Sequence, residues 1–211
     1  MTYQSAPHLL ILHAVRLLGF AESRAIAHRA GVSHDEALSW LQMADRQGWI
    51  QYQGFADLNG WSLTDTGKEE NERQLAVERE HVDTANILGE VYSAFVPLNA
   101  RLLRAVTDWQ LKPTEQDRFA PNDHTDSDWD ARILDELAAL STALAPVTTR
   151  LSELMTRFGD YSARFDAALA KANNGLNDYV DKTNVDSCHR VWFELHEDLI
   201  ASLGIDRGTI L

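Results

Sequence analysis

The segment "RAGVSHDEALSWLQMADRQGWI", residues 29–50, sets hydrogen-bonding side chains at helical spacing: Ser33, His34, Ser39, Gln42 and Arg46, with Arg24 just upstream and Arg29 at its start. Ala37, Trp40, Leu41 and Ala44 stand at i, i+3, i+4 and i+7. That stripe must be buried, so Ser39, Gln42, Met43 and Arg46 point outward. Arginine carries a planar fork of donors that fits phosphate and carboxylate oxygens, and glutamine carries a donor beside an acceptor. The chemistry on offer is recognition rather than bond breaking.

Other residues suggest other chemistry. Cys188, in "NVDSCHRVW", follows Asp186 and Ser187, either of which can cap a final helix. The positive end of that helix favours a thiolate, which makes Cys188 a redox candidate. It also shares a face with Trp192, Leu195 and Leu199, which suits a small buried hydrophobe. The loop "NDHTDSDWD" groups His124 with Asp123, Asp126 and Asp128 but lacks the glycine and final glutamate of a calcium loop. His189 and His196 are seven residues apart, a rise of about 10.5 Å, too far to share one ion. No metal is expected, and Asp126 and Asp128 read as helix caps. Glu194, Glu197 and Asp198 read as a solvated helix face. There is no G-x-S-x-G, phosphate-binding glycine loop or dinucleotide fingerprint, so neither enzymatic activity nor a cofactor is expected. Trp109, Trp129, Tyr161, Phe165, Tyr179, Trp192 and Phe193 either fill a core or line a pocket for a small-molecule effector.

The elements that must hold these residues are legible from local signals. Pro7 opens a helix that is apolar on nearly every side, "HLLILHAVRLLG". "AESRAIAHRAG" forms a second, ended by Gly31. Ser33 caps a third, with Glu36 completing a capping box, and Gly48 stops it. "WIQYQ" and "WSLT" read as strands around the turn "GFADLNG", and Thr64 or Asp65 caps the helix after them. Three helices and a β-hairpin in this order make a winged helix. The hairpin carries Tyr52, Phe55, Leu58 and Trp61, which are expected to pack against the C-terminal part of the protein or a second subunit. From Asp65 to Val96 the pattern is one long helix, with Glu69–Arg73 paired at i, i+4; Pro97 should kink or interrupt it, and "LNARLLRAVTDW" resumes the pattern. A polar loop over residues 110–128 precedes three further helical stretches. The expected fold is mainly α: a winged helix-turn-helix domain at 1–68, then an α-helical bundle at 69–211.

Charge divides along the same line. The net charge is −13. Residues 1–68 hold five basic and six acidic side chains, whereas residues 69–211 hold fourteen and twenty-six. The bundle therefore repels polyanions, and any nucleic acid must meet the first part. The most apolar stretch, Leu9 to Leu18, is too short to span a bilayer and lacks the flanks of a signal peptide. With a single cysteine, this predicts a cytoplasmic protein with no membrane partner.

"IAHRAGVSHDEALSWLQMADRQGWI" followed by "GWSLTDTGKEE" resembles the winged helix-turn-helix of MarR-like bacterial transcriptional regulators, over about residues 8–70. Ala27, Gly31 and Val32 at the turn, Gly48 before the first strand, and Leu63-Thr64-x-x-Gly67 after the second carry the likeness. The resemblance implies a homodimer that lays the helix from Ser33 to Gln47 into the major groove of double-stranded DNA. Arg24, Arg29 and Arg46 would hold phosphates, His34, Ser39 and Gln42 could hydrogen-bond base edges, and Ser33 at the start of the helix belongs to the same DNA-binding set. A departure is the absence of any Lys or Arg between Arg46 and Lys68. The alternative is a protein-interaction module on the same scaffold.

Overall fold

Pro7, with no N–H to leave unsatisfied, starts α1 (Pro7–Leu18), and Gly31 ends α2 (Ser23–Ala30) in the left-handed conformation. Ser33 caps α3 (His34–Arg46) by accepting the Glu36 backbone N–H at 3.2 Å. An antiparallel hairpin comes next, β1 (Ile50–Phe55) and β2 (Leu58–Leu63), with Tyr52 opposite Trp61. The helices α4 (Asp65–Val82), α5 (Ile87–Gln110), α6 (Ser127–Leu154), α7 (Tyr161–Asn173), the short α8 (Asp178–Asp181) and α9 (Cys188–Leu203) complete a mainly helical chain. This computed structural model describes residues 2–55 and 58–205; the side chains of Phe55 and Leu58, expected to be packed, lie outside the described residues. Among the described residues no helix is long and apolar enough to cross a membrane.

The chain forms two compact units. The first comprises residues 1–85, 155–157 and 197–211, and the second residues 86–154 and 158–196. Residue 68 thus falls inside α4, within the first unit.

In the first unit, Ile11, Leu12 and Val15 of α1 meet Ile26 and Ala30 of α2, Ala37, Leu41 and Ala44 of α3, and Ile50 and Trp61 of the hairpin in one core. The hairpin is fastened at its base. Ala21 and Trp61 exchange two backbone hydrogen bonds, at 2.8 and 3.1 Å. A side chain on Gly60 would crowd the Ala21 backbone at 3.0 Å. Thr64 Oγ1 donates to the Gly48 carbonyl at 2.6 Å and accepts from the Gly67 N–H at 3.0 Å, while Thr66 Oγ1 donates to the same carbonyl at 2.8 Å. These bonds seat the N-terminus of α4 on the turn between α3 and β1.

A second set of bonds in this unit is ionic and buried. Arg157 bridges Glu78 of α4 and Asp198 of α9, and donates to Ser5 and Ser202 at 3.1 and 2.8 Å. His13 of α1 sits between Asp198 and Asn71, its Nε2 3.0 Å from Asp198 Oδ1 and its Nδ1 3.2 Å from Asn71 Oδ1. Beside it, Arg16 donates to Glu197 at 2.7 Å and Glu72 at 3.0 Å. Burial pushes the Asp198 carboxyl up, but His13 and Arg157 outweigh it and hold the group well below the usual carboxylate range. Asp198 is therefore no part of a solvated face, which corrects the expectation from the sequence. Nor is Glu194 in the second unit: it is buried and pairs with Arg164 at 2.8 Å and Arg190 at 3.3 Å.

One helix boundary also differs from expectation. The long pattern from Asp65 breaks at residues 83–86, where Asn86 takes φ 57°. Asn tolerates that conformation, and short polar side chains at Asp83, Thr84 and Asn86 compete with helical hydrogen bonding. Pro97, by contrast, lies within α5 without ending it. The carbonyl it cannot serve is that of Ser93, and both residues are exposed, so water can take its place. Arg73 pairs with Glu70 at 2.7 Å rather than with Glu69.

The second unit packs α5, α6, α7 and the start of α9 around Phe95, Trp109, Phe158, Tyr161, Phe165 and Trp192, all buried. Trp192 stacks on Phe95 at 5.0 Å and donates its indole N–H to Asn99 at 3.1 Å. The polar loop before α6 is tied down: Asn122 Nδ2 donates to the Trp109 carbonyl and to Asp130, and Asp126 caps α6 through the Asp128 and Trp129 N–H groups.

Candidate nucleic-acid interface

The solvent face of α3 carries Asp35, Ser39, Gln42 and Arg46 at i, i+4, i+7 and i+11, and all four are exposed. The opposite face buries Ala37, Leu41 and Ala44, and Trp40 lies partly buried against Trp49 with ring centroids 6.2 Å apart. That packing fixes the helix rotation and so fixes which side chains face out. Arg24 of α2 is exposed as well, and neither it nor Arg46 forms an ion pair among the described residues. The geometry thus presents two uncommitted guanidiniums, one amide and one hydroxyl.

The remaining candidates take other roles. Ser33 Oγ is occupied in capping α3. His34 Nε2 lies 2.9 Å from Ser23 Oγ, so its ring buttresses the start of α2 instead of facing a ligand. Arg29 is half-buried, and its charge is among those that lower the Asp198 carboxyl. It is less accessible than Arg24 and Arg46. The reason is helical phase: Ile26, Ala27 and Ala30 face the core, and Arg29 stands between them and the solvent face.

The two described aromatic residues of the hairpin are placed differently. Trp61 is buried, but Tyr52, whose ring lies 5.0 Å from it, is 57% exposed. Gln51, Gln53 and Asn59 are exposed beside it. The described hairpin thus offers neutral donors and acceptors and no positive charge. Asp35, Glu36 and Asp45 are also exposed on α3, so the local field around Gln42 is not basic.

Cys188 is fully buried, and burial pushes its thiol up to about 12. The positive helix end does not offset that desolvation, so the cysteine is a packing residue, which corrects the redox candidate. Iodoacetamide at pH 8 is expected to leave the folded protein unlabelled and to label Cys188 fully after unfolding in guanidinium; mass spectrometry reads both. Rapid labelling of the folded protein would contradict the assignment.

Among the described residues no group of three His, Cys, Asp or Glu side chains is placed to hold a metal ion. His124 instead rests on the Trp109 ring at 4.5 Å and pairs with Asp130 at 2.9 Å. We found no protein-family model, curated protein or solved structure that matches the chain.

Proposed function

We propose that residues 7–63 form a winged helix-turn-helix and that the protein is a regulator that binds double-stranded DNA, with α3 as the reading helix. The observation that carries this reading is the exposed row Ser39, Gln42 and Arg46 on α3 together with exposed Arg24 on α2. Gln42 would pair with adenine through its N6 and N7 edge, Ser39 would add one hydrogen bond, and Arg24 and Arg46 would hold phosphates. Tyr52 and the hairpin glutamines would contact the sugar–phosphate backbone as neutral donors. Two copies, each bringing one reading head, would address two half-sites.

With two phosphate-binding arginines per copy, a dimer neutralises about four phosphates. The slope of log K against log salt is then about −4. Fluorescence anisotropy of a labelled duplex between low and moderate salt measures it; a slope near −10 would mean a basic surface that the proposed interface lacks. Gln42→Ala is expected to relax preference at one base pair by about 1–3 kcal/mol, and Arg46→Ala to weaken all sequences alike.

A second reading, a protein-interaction module, is favoured by exposed Asp35, Glu36 and Asp45 on the same helix. It predicts no measurable duplex binding even at low salt.

A further inference from the structure

The second unit is acidic, with ten basic and seventeen acidic side chains, yet three of its arginines meet at one groove of about 300 Å³ between α5 and α6. From α5 come Arg101, Arg104, Ala105 and Asp108, at i, i+3, i+4 and i+7. From α6 come Trp129, Arg132, Ile133 and Glu136, at the same spacing. The two stripes face each other in antiparallel register. Arg101 pairs with Glu136 at one end, at 2.7 and 3.1 Å, and the Trp129 indole N–H donates to the Asp108 carbonyl at 2.8 Å at the other.

The middle of the groove is where charge is left over. The Arg132 guanidinium lies over the Trp129 ring at 4.7 Å, and its Nε is 3.4 Å from the Asp128 carbonyl. It pairs with no carboxylate among the described residues, and neither does Arg104. Both are exposed, while Ala105 and Ile133 are buried and form an apolar floor. In a unit with seven more acids than bases, two guanidiniums that make no ion pair among the described residues sit on this one floor. Contact with the Trp129 indole restrains the Arg132 guanidinium, so less freedom is lost when its fork closes on an oxyanion.

We propose that this groove binds a phosphate monoester with a small planar or apolar body. The phosphate lies between Arg104 and Arg132, and the body lies on Ile133, Ala105 and the Trp129 edge. A dianion with three free oxygens matches two forks better than a carboxylate with two oxygens. Asp108 repels negative charge at the Trp129 end, which directs the phosphate to the middle and leaves that end for the neutral body. Arg101 holds both Glu136 oxygens, and Arg104 acts on that carboxylate only at longer range, through its charge.

The test is calorimetric titration of the full chain with phenyl phosphate in a phosphate-free, low-salt buffer, in parallel with inorganic phosphate and benzoate. Phenyl phosphate is expected to saturate one site per chain, with inorganic phosphate and benzoate each weaker by about tenfold or more. Arg104→Ala combined with Arg132→Ala should weaken phenyl phosphate by about tenfold or more. Both residues are exposed, so the variant should melt with the parent; if it does not, Arg104→Gln alone, at the same exposed position, should reproduce the loss. Absence of saturable binding, equal affinity in the variants, or benzoate or inorganic phosphate binding as tightly as phenyl phosphate would each overturn the proposal. None of these outcomes depends on whether the first unit binds DNA.

Discussion

Replacing Arg157 by alanine is expected to destabilise the protein by about 3–5 kcal/mol, because it strands the Glu78 and Asp198 carboxylates in the interior with no guanidinium between them. All three side chains are nearly inaccessible to water. The loss is chiefly the cost of leaving two like charges buried, not the worth of the pairs. Neutralising both partners in the same background, with Glu78→Gln and Asp198→Asn, should therefore recover part of it. Urea unfolding followed by far-ultraviolet circular dichroism measures both differences. An Arg157→Ala protein as stable as the parent would show that the cluster contributes no net attraction.

The same cluster sets a pH dependence. Asp198 is held below its ordinary value near 3.8 in the folded state, so in acid the unfolded chain binds the proton first. Its contribution is fully present above about pH 5 and is lost as pH falls through the ordinary value toward the depressed one. Stability should drop steeply below about pH 4, and Asp198→Asn should flatten that part of the curve while lowering stability at neutral pH.

The second large effect is expected at Gly67. A Cβ there would lie 1.7 Å from the Trp49 carbonyl oxygen and 2.6 Å from its carbon. Backbone, not a flexible side chain, would have to give way. Gly67→Ala must push α4 off the turn between α3 and β1 and break the bonds among Thr64, Thr66 and Gly48. Overpacking of this kind costs about 1–3 kcal/mol where side chains can shift, and more where they cannot. Gly67→Ala should therefore fall at or above the top of that range, against a loss of less than about 1 kcal/mol for Lys68→Ala one position on. Thermal melts of the two variants give the comparison, and equal melting temperatures would contradict the close approach.

The elements of the first unit were legible because their signals are local. Pro7, Gly31, the Ser33 cap and the apolar stripe through Ala37, Leu41 and Ala44 each act within one or two turns. Thr64 and Gly67 were legible as a pattern, but the reason for Gly67, a backbone approach from Trp49, is a tertiary fact. The ionic core was not legible. His13, Glu78, Arg157 and Asp198 are scattered over the chain, and Asp198 has a polar helix neighbourhood that suits a solvated face equally well. The break at residues 83–86 was hidden because Pro97 is the stronger helix breaker in general, and only its place on the solvent face makes it harmless. The two matching stripes on α5 and α6 acquire meaning only once the helices are set in antiparallel register. Of the seven candidate interface residues, Arg24, Ser39, Gln42 and Arg46 are exposed, while Ser33 caps α3, His34 bonds to Ser23 and Arg29 is half-buried.

Whether α3 reads double-stranded DNA is decided by selection of bound duplexes from a random pool at low salt, run with the parent chain and with Gln42→Ala. The parent is expected to enrich one motif of paired half-sites containing a fixed adenine, and Gln42→Ala to relax the preference at that adenine while keeping the rest. Recovery of no motif by the parent, or the same motif with the same adenine preference from both proteins, would contradict α3 as the reading helix.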